Sequence, residues 1–401
     1  MQSVILRAML KRINLDTFRK YVNANSVGGI ILIGCVLLSL LIANLPAGRS
    51  FEDWLGRYVG WETGSIGLRF SILHWINDGL MAVFFLLVGL EIKREMVEGE
   101  LSTPSKAMLP VIAAFGGAIL PALIFVLLNK GTATVAGWGI PMATDIAFAL
   151  AAITILGKKV PGSLKVFLAA LAIVDDLIAI LVIALFYSSD IHFNYLLYAG
   201  GVMLLLIIFN RLKIKGLWFY LVPGLFIWYF IHHSGIHATI AGVLVAMTLP
   251  TTPDATLSPL EKLEHALTKP VNFFIIPLFA LANTNIRFEA SMLNGLTAPL
   301  GMGIIIGLIA GKCAGILLST WAGVRLGIGK LPRQAGWMHM VGLGLLAGIG
   351  FTLSIFISLL SFNDPLLVAE AKLAILVASV LAALLGCSML LIVHRKRPPI
   401  G

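Results

Sequence analysis

Apolar residues in this chain come in long runs, separated by short polar stretches that hold most of the charges. The runs fall at roughly residues 27–45, 73–92, 107–128, 134–156, 163–187, 194–210, 216–231, 236–250, 270–286, 299–324, 337–361 and 365–393. At about 1.5 Å per helical residue, some 20 apolar residues cross a ~30 Å hydrocarbon layer, so the pattern predicts twelve transmembrane helices. Before them, residues 1–26 mix Arg7, Lys11, Arg12, Arg19 and Lys20 with Ile5, Leu6, Leu10, Ile13, Leu15 and Phe18. That mixture predicts a basic amphipathic segment on a membrane surface. It is too long and too polar for a signal-peptide n-region and no convincing cleavage site follows, so the mature chain is expected to keep it.

Composition agrees with the pattern: 59% of the 401 residues are hydrophobic and 12% charged. The charged fraction is about half that of a soluble domain. The expected organisation is one polytopic membrane domain over 27–394, followed by a basic tail, 395–401. The net charge of +10 does not call for nucleic acid, because the basic residues mark topology. Of 29 Lys and Arg, 22 fall on the side of the N-terminus, while Arg49, Arg57, Arg69, Lys130 and Arg287 fall on the other and Lys312 and Lys372 lie within runs. By the positive-inside rule both termini are cytoplasmic. Cys35, Cys313 and Cys387 lie in apolar runs without paired spacing, so neither a disulfide framework nor a zinc site is indicated.

Residues 46–72 form the longest outer connection, and Arg57 to Arg69 read as a hairpin with Gly64 and Ser65 at its turn. Such a hairpin either pairs edge to edge with a second copy or is an ordered loop without a partner. The cytoplasmic loop is set at 251–269. Runs 3–5 begin inside and runs 10–12 outside, and Ile146-Ala147-Phe148-Ala149-Leu150 in run 4 echoes Ile349-Gly350-Phe351-Thr352-Leu353 in run 11. The pairing predicts an inverted-topology repeat. Both runs read as broken helices: Pro141 follows Gly137 and Gly139, and Gly342, Gly344, Gly348 and Gly350 crowd the other. Such breaks line a watered cavity, or the glycines simply pack helices closely.

Two adjacent carboxylates, Asp175 and Asp176, stand near the centre of run 5. Each costs at least ~2.5 kcal/mol to insert, an expense that a purely structural helix has no use for. Lys312 lies at similar depth in run 10, and pairs with a central aspartate or balances the carbonyl end of a broken helix. Thr144 and Asp145 follow the Pro141 break, where they cap free N–H groups or bind a cation. Carboxylates, a hydroxyl and free carbonyls suit a hard cation, and burial makes a carboxylate hold a proton near neutral pH. A site that holds one or the other, but not both, is the minimum machinery of an antiporter.

Asp78 stands near the outer end of run 2, and Glu91, Lys93, Arg94, Glu95, Glu98 and Glu100 near its inner end. Glu91 and Glu95 share a helix face, as a solvated helix end or a regulatory cluster. His232, His233 and His237 suggest a metal, but no carboxylate accompanies them in the sequence, so they read as loop or interface histidines. The stretch from Glu261 to His265 reads as a solvated loop face.

In sequence the chain resembles the NhaA family of bacterial sodium/proton antiporters. The resemblance rests on Trp75-Ile76-Asn77-Asp78 through Glu91-Ile92-Lys93-Arg94-Glu95, Pro141-Met142-Ala143-Thr144-Asp145-Ile146-Ala147-Phe148 and Leu171-Ala172-Ile173-Val174-Asp175-Asp176. Gly235-Ile236-His237-Ala238-Thr239, Ala310-Gly311-Lys312 and Gly348-Ile349-Gly350-Phe351-Thr352 complete it. It implies an all-α fold of twelve helices with two discontinuous helices, broken at Pro141 and at Gly348 and Gly350, and a short outer hairpin. It further implies a secondary active transporter rather than an enzyme, in the bacterial inner membrane, with no cofactor beyond the transported Na⁺ or Li⁺ and H⁺. Asp176 would be the main carrier of cation and proton, and Asp175 the second acid, paired with Lys312. Thr144 and Asp145 would balance the crossing and contribute to the cation site, and Asp78 would line the outer funnel. The exchange would be electrogenic and activated at alkaline pH through Glu91, Arg94, Glu95, Glu264 and His265, with His237 linked to pH response and to a homodimer formed through the hairpin. Thr268 departs from the family, which often has a histidine there.

Rival readings are a cation channel or uniporter, and an intramembrane aspartyl protease. The protease needs aspartates converging from separate helices, typically with a G-x-G-D motif, which the chain lacks.

Overall fold

The computed structural model describes residues 28–46, 48–63, 66–188, 191–251, 258–288 and 290–395. The amphipathic segment, the hairpin tip at Gly64 and Ser65, most of the inner loop before Ser258 and the tail after Arg395 lie outside the described residues.

Helices account for most of the described chain. Seven are long and apolar enough to cross a membrane: Ile72–Val97, Lys106–Leu128, Gly162–Phe186, Phe193–Arg211, Pro259–Asn283, Pro299–Arg325 and Pro365–Arg395. Three further pairs qualify jointly across a bend: Gly28–Ala43 with Gly48–Leu55, Ala133–Met142 with Ile146–Ile155, and Trp337–Ala347 with Phe351–Ser361. Trp218–His233 and Ile240–Thr248 are shorter helices that fall on the two shortest apolar runs. Leu127, Leu185, Leu197 and Leu225 are among many large apolar side chains left exposed. Water would disfavour so extensive an apolar surface, whereas lipid accommodates it.

The helix Gly162–Phe186 sits at the centre. In its most apolar window 72% of residues are buried, against 11% in Phe193–Arg211. Helices Lys106–Leu128 and Pro299–Arg325 meet closely at small residues: a Cβ on Gly315 would come within 2.1 Å of the Gly116 carbonyl oxygen. Close approach of this kind lets helices pack where no hydrophobic force between them exists. Just before Lys312, residues Gly307–Gly311 widen into a π-helical turn.

The two bent pairs carry the breaks that Pro141 and the glycines predict, with bends of 45° and 46°. Ala133–Met142 coils as a 3₁₀-helix, a long stretch for that tighter geometry. The hairpin also forms, with Tyr58 opposite Ser71 and Val59 opposite Phe70, then Glu62 opposite Gly67 and Thr63 opposite Ile66. Gly60, at φ +120°, joins the two ladders; a Cβ there would strike the Leu68 carbonyl oxygen at 1.8 Å.

Candidate functional site

The interruptions of the two bent pairs, residues 143–145 and 348–350, meet. The Asp145 N–H donates to the Ile349 carbonyl oxygen at 2.6 Å, and Ser354 Oγ donates to the Ile140 carbonyl oxygen at 2.8 Å. Space is tight here: a Cβ on Gly350 would lie 3.1 Å from the Ala143 carbonyl oxygen, and one on Gly348 2.2 Å from the Leu308 carbonyl oxygen of the neighbouring helix Pro299–Arg325.

Each half-helix presents unpaired backbone groups at the break, and the site is built from the side chains that answer them. Asp145 serves both helix starts: Oδ1 accepts from the Phe148 N–H at 3.0 Å, and Oδ2 from the Thr352 N–H at 3.1 Å and from Thr352 Oγ1 at 2.5 Å. One carboxylate thus offsets the positive ends of two helices. On the opposite side Lys312 Nζ donates to the Met142 carbonyl oxygen, at the end of the 3₁₀-helix. The same ammonium meets Asp175 Oδ2 at 2.7 Å, with both side chains fully enclosed. Thr144 Oγ1 lies 2.6 Å from Asp175 Oδ2 and 2.8 Å from the Ala347 carbonyl oxygen. A hydroxyl has one proton to give, so it shares or alternates between these acceptors.

Asp176 points elsewhere, as a ~100° step along the helix requires. It is 3% exposed, and its Oδ1 is buried without a hydrogen-bond partner. It lines a cavity of about 20 Å³ with Glu91, Asp145, Asn272 and Thr352, closed by Phe84, Leu87 and Val88. That volume holds about one water-sized particle. Glu91 and Asp145 thus face the same small space as Asp176.

The remaining predicted residues divide into two groups. Arg94 Nη1 pairs with Glu264 Oε1 at 2.8 Å and Arg94 Nη2 with Glu95 Oε1 at 3.2 Å. His265 is exposed on the same helix as the buried Glu264. Thr268, the departure from the family, donates its hydroxyl to the Glu264 carbonyl oxygen at 2.7 Å. His237 is not with that cluster: its Nδ1 lies 4.0 Å from Asp78 Oδ1. Asp78 is also approached by His74 and His232, so the expectation that no carboxylate accompanies the histidines fails in three dimensions.

Sequence reasoning missed Asn272 and the direct part played by Thr352. Thr352 had a signal, a hydroxyl just after a glycine break, matching Thr144 after Pro141. It also missed Lys93, whose Nζ donates to the carbonyl oxygens of Met247 and Leu249 at 2.7 and 2.6 Å, holding the end of Ile240–Thr248.

Interrupted helices that cross beside buried acids define a multi-pass membrane transporter architecture. Residues 19–390 match the family described as Na+/H+ antiporter 1, and the chain belongs to that family. It is 62% identical over 384 residues to the Na(+)/H(+) antiporter NhaA 2 of Flavobacterium johnsoniae, covering 96% of this chain and 94% of that one. It is 45% identical over 399 residues to the Na(+)/H(+) antiporter NhaA of Caulobacter vibrioides, covering 98% and 95%. Among solved structures, the sodium proton antiporter MjNhaP1 from Methanocaldococcus jannaschii at pH 8 shares the fold, with a TM-score of 0.56 at 12% identity over 95% of this chain and 99% of that one.

Proposed function

We propose that this protein exchanges sodium or lithium ions for protons across the bacterial inner membrane, with Asp176 as the carrier. The observation that carries the reading is Asp176 itself, a buried carboxylate with an unpartnered oxygen on a cavity of about 20 Å³. There acids are kept from bulk water with room for one small particle. Asp175 and Lys312 form the fixed partner pair, and Thr144 and Asp145 hold the crossing and supply oxygen ligands. Entry of a proton displaces the sodium ion, and entry of sodium displaces the proton. Alternating access then follows from rocking the half-helices about the crossing.

The fuller reading has twelve spans. The seven long helices and three bent pairs, with the shorter Trp218–His233 and Ile240–Thr248 on two further apolar runs, support that reading. Runs 3–5 and 10–12 are the inverted repeat, supported by the meeting of their two breaks. Both termini are cytoplasmic, from the distribution of basic residues. More protons enter than sodium ions leave, so the exchange is electrogenic, and the Arg94–Glu95–Glu264 cluster with Glu91, His265 and His237 raises activity at alkaline pH. Two copies pair through the hairpin, where Tyr58 and Trp61 are exposed.

The test uses everted membrane vesicles holding a respiratory proton gradient. Added sodium or lithium collapses the gradient at alkaline pH, and Asp176→Asn abolishes the response. A response retained by that variant overturns the assignment.

A further inference from the structure

At one end of the helix Ile72–Val97, remote in sequence from the central acids, three ligating side chains converge. His74 Nε2 lies 3.4 Å from Asp78 Oδ2, and His232 Nδ1 lies 3.3 Å from the same oxygen. All three atoms are within 4.8 Å of one another. We infer that His74, Asp78 and His232 form a site for a divalent transition metal, zinc above all, at the outer mouth of the protein.

The distances fit the chemistry. Zinc bonds to imidazole nitrogen and carboxylate oxygen of about 2.0–2.1 Å, at tetrahedral angles, place neighbouring ligand atoms about 3.3 Å apart. Two of the three ligand separations already have that value. His74 Nε2 is enclosed and makes no hydrogen bond, with Asp78 Oδ2 as its near neighbour, so ligating a metal would cost it no hydrogen bond. Two imidazoles and one carboxylate suit zinc better than magnesium or calcium, which favour oxygen throughout. Binding through His74 Nε2 leaves its Nδ1 carrying the proton, and binding through His232 Nδ1 leaves its Nε2 carrying it. The fourth position falls to His237, whose Nδ1 is 4.0 Å from Asp78 Oδ1, or to solvent.

The protein also builds a frame that fixes these rings. Phe70 stacks on His74 with centroids 4.6 Å apart and meets His232 edge-on at 4.9 Å. Trp228 stacks on His232 at 5.8 Å. Residues Trp75–Leu80 form a π-helical turn, a local widening often found where a helix presents functional groups. The Ser71 hydroxyl accepts from the His74 N–H at 3.1 Å and fixes the start of the same helix. A structural role needs none of this convergence, because one imidazole suffices to neutralise Asp78. His233 sits next in sequence, but its Nδ1 contacts the Tyr229 carbonyl oxygen at 3.0 Å and is not a ligand.

The experiment titrates zinc alone into the purified, tag-free full chain in detergent, by calorimetry, with cobalt(II) as a spectroscopic stand-in. The expected result is one zinc per chain and a cobalt absorption of tetrahedral nitrogen and oxygen coordination. His74→Leu and His232→Leu each weaken zinc binding at least tenfold and remove the cobalt band, while His233→Leu retains both. Wild-type protein that binds no zinc, or the same affinity in His74→Leu and His232→Leu as in wild type, overturns the inference, as does equal loss in His233→Leu. Thermal unfolding of the two leucine variants close to the wild-type temperature shows that they fold. The titration requires no transport, so failure here leaves the exchange reading standing, and failure of exchange leaves the metal site standing.

Discussion

Asp175 Oδ2 and Lys312 Nζ meet at 2.7 Å with both side chains fully enclosed, so each gives the other a polar partner inside the protein. Both aspartates have a buried Oδ1 without a hydrogen-bond partner, but Asp175 is held through its Oδ2 by Lys312 and Thr144, whereas Asp176, the next residue, lines the cavity. The difference assigns the pair two roles: one acid is held, and its neighbour is left available.

Breaking the held pair leaves one uncompensated charge. Lys312→Met is expected to lower stability by about 3–5 kcal/mol, because removing one member of a buried pair costs more than removing both. Asp175→Asn combined with Lys312→Met should recover more than half of the loss. Thermal unfolding of the purified variants checks this, and a double variant no more stable than the single one contradicts the pairing.

Asp145 accepts from the Phe148 N–H, the Thr352 N–H and the Thr352 hydroxyl. Asp145→Ala strips acceptors from two helix starts at once, and the expected cost is about 2–4 kcal/mol. Asp145→Asn keeps one acceptor oxygen and should lose about half as much. Unfolding in denaturant ranks the two.

Gly348 is held to glycine by space rather than backbone angle, since a Cβ would lie 2.2 Å from the Leu308 carbonyl oxygen. Gly348→Ala forces this break away from the helix Pro299–Arg325 and should cost about 1–3 kcal/mol. Gly336→Ala, where nothing lies within 4 Å, is expected to change stability by less than about 0.5 kcal/mol. Comparing melting temperatures of the two variants isolates the effect of that close approach.

Competition at one carboxylate fixes a pH dependence. A cation needs its ligand deprotonated, so apparent sodium affinity must weaken as pH falls. In the acidic range the loss should approach about tenfold per pH unit for each competing proton. Half-saturation for sodium, measured across pH in proteoliposomes, gives the slope, and a value independent of pH contradicts competition.

Much of this was legible because charge is conspicuous in an apolar run. Asp175, Asp176 and Lys312 each stand alone in a helix that lipid would not tolerate, and Pro141 with the glycines gave away the two breaks. The partners were harder to read. Thr352 and Ala347 lie some 200 residues from the groups they bond, and no periodicity links them. The same holds for Asp78 and His232, which look unrelated in sequence and touch only because two helix ends converge. His237, grouped with the pH cluster by resemblance, lies beside Asp78 instead of Arg94 and Glu264. The 3₁₀ coil of Ala133–Met142 is likewise set by packing, since glycine and proline announce a weak helix without saying how it winds.

The central claim is that sodium and a proton exclude each other at Asp176, and proton release tests it most directly. Sodium chloride is added to the purified protein in weakly buffered detergent solution, and the pH change is recorded against a choline chloride control. The account predicts release of protons that saturates with sodium in wild type and is absent in Asp176→Asn. Equal release from the variant, or sodium binding by wild type without any release, would contradict it.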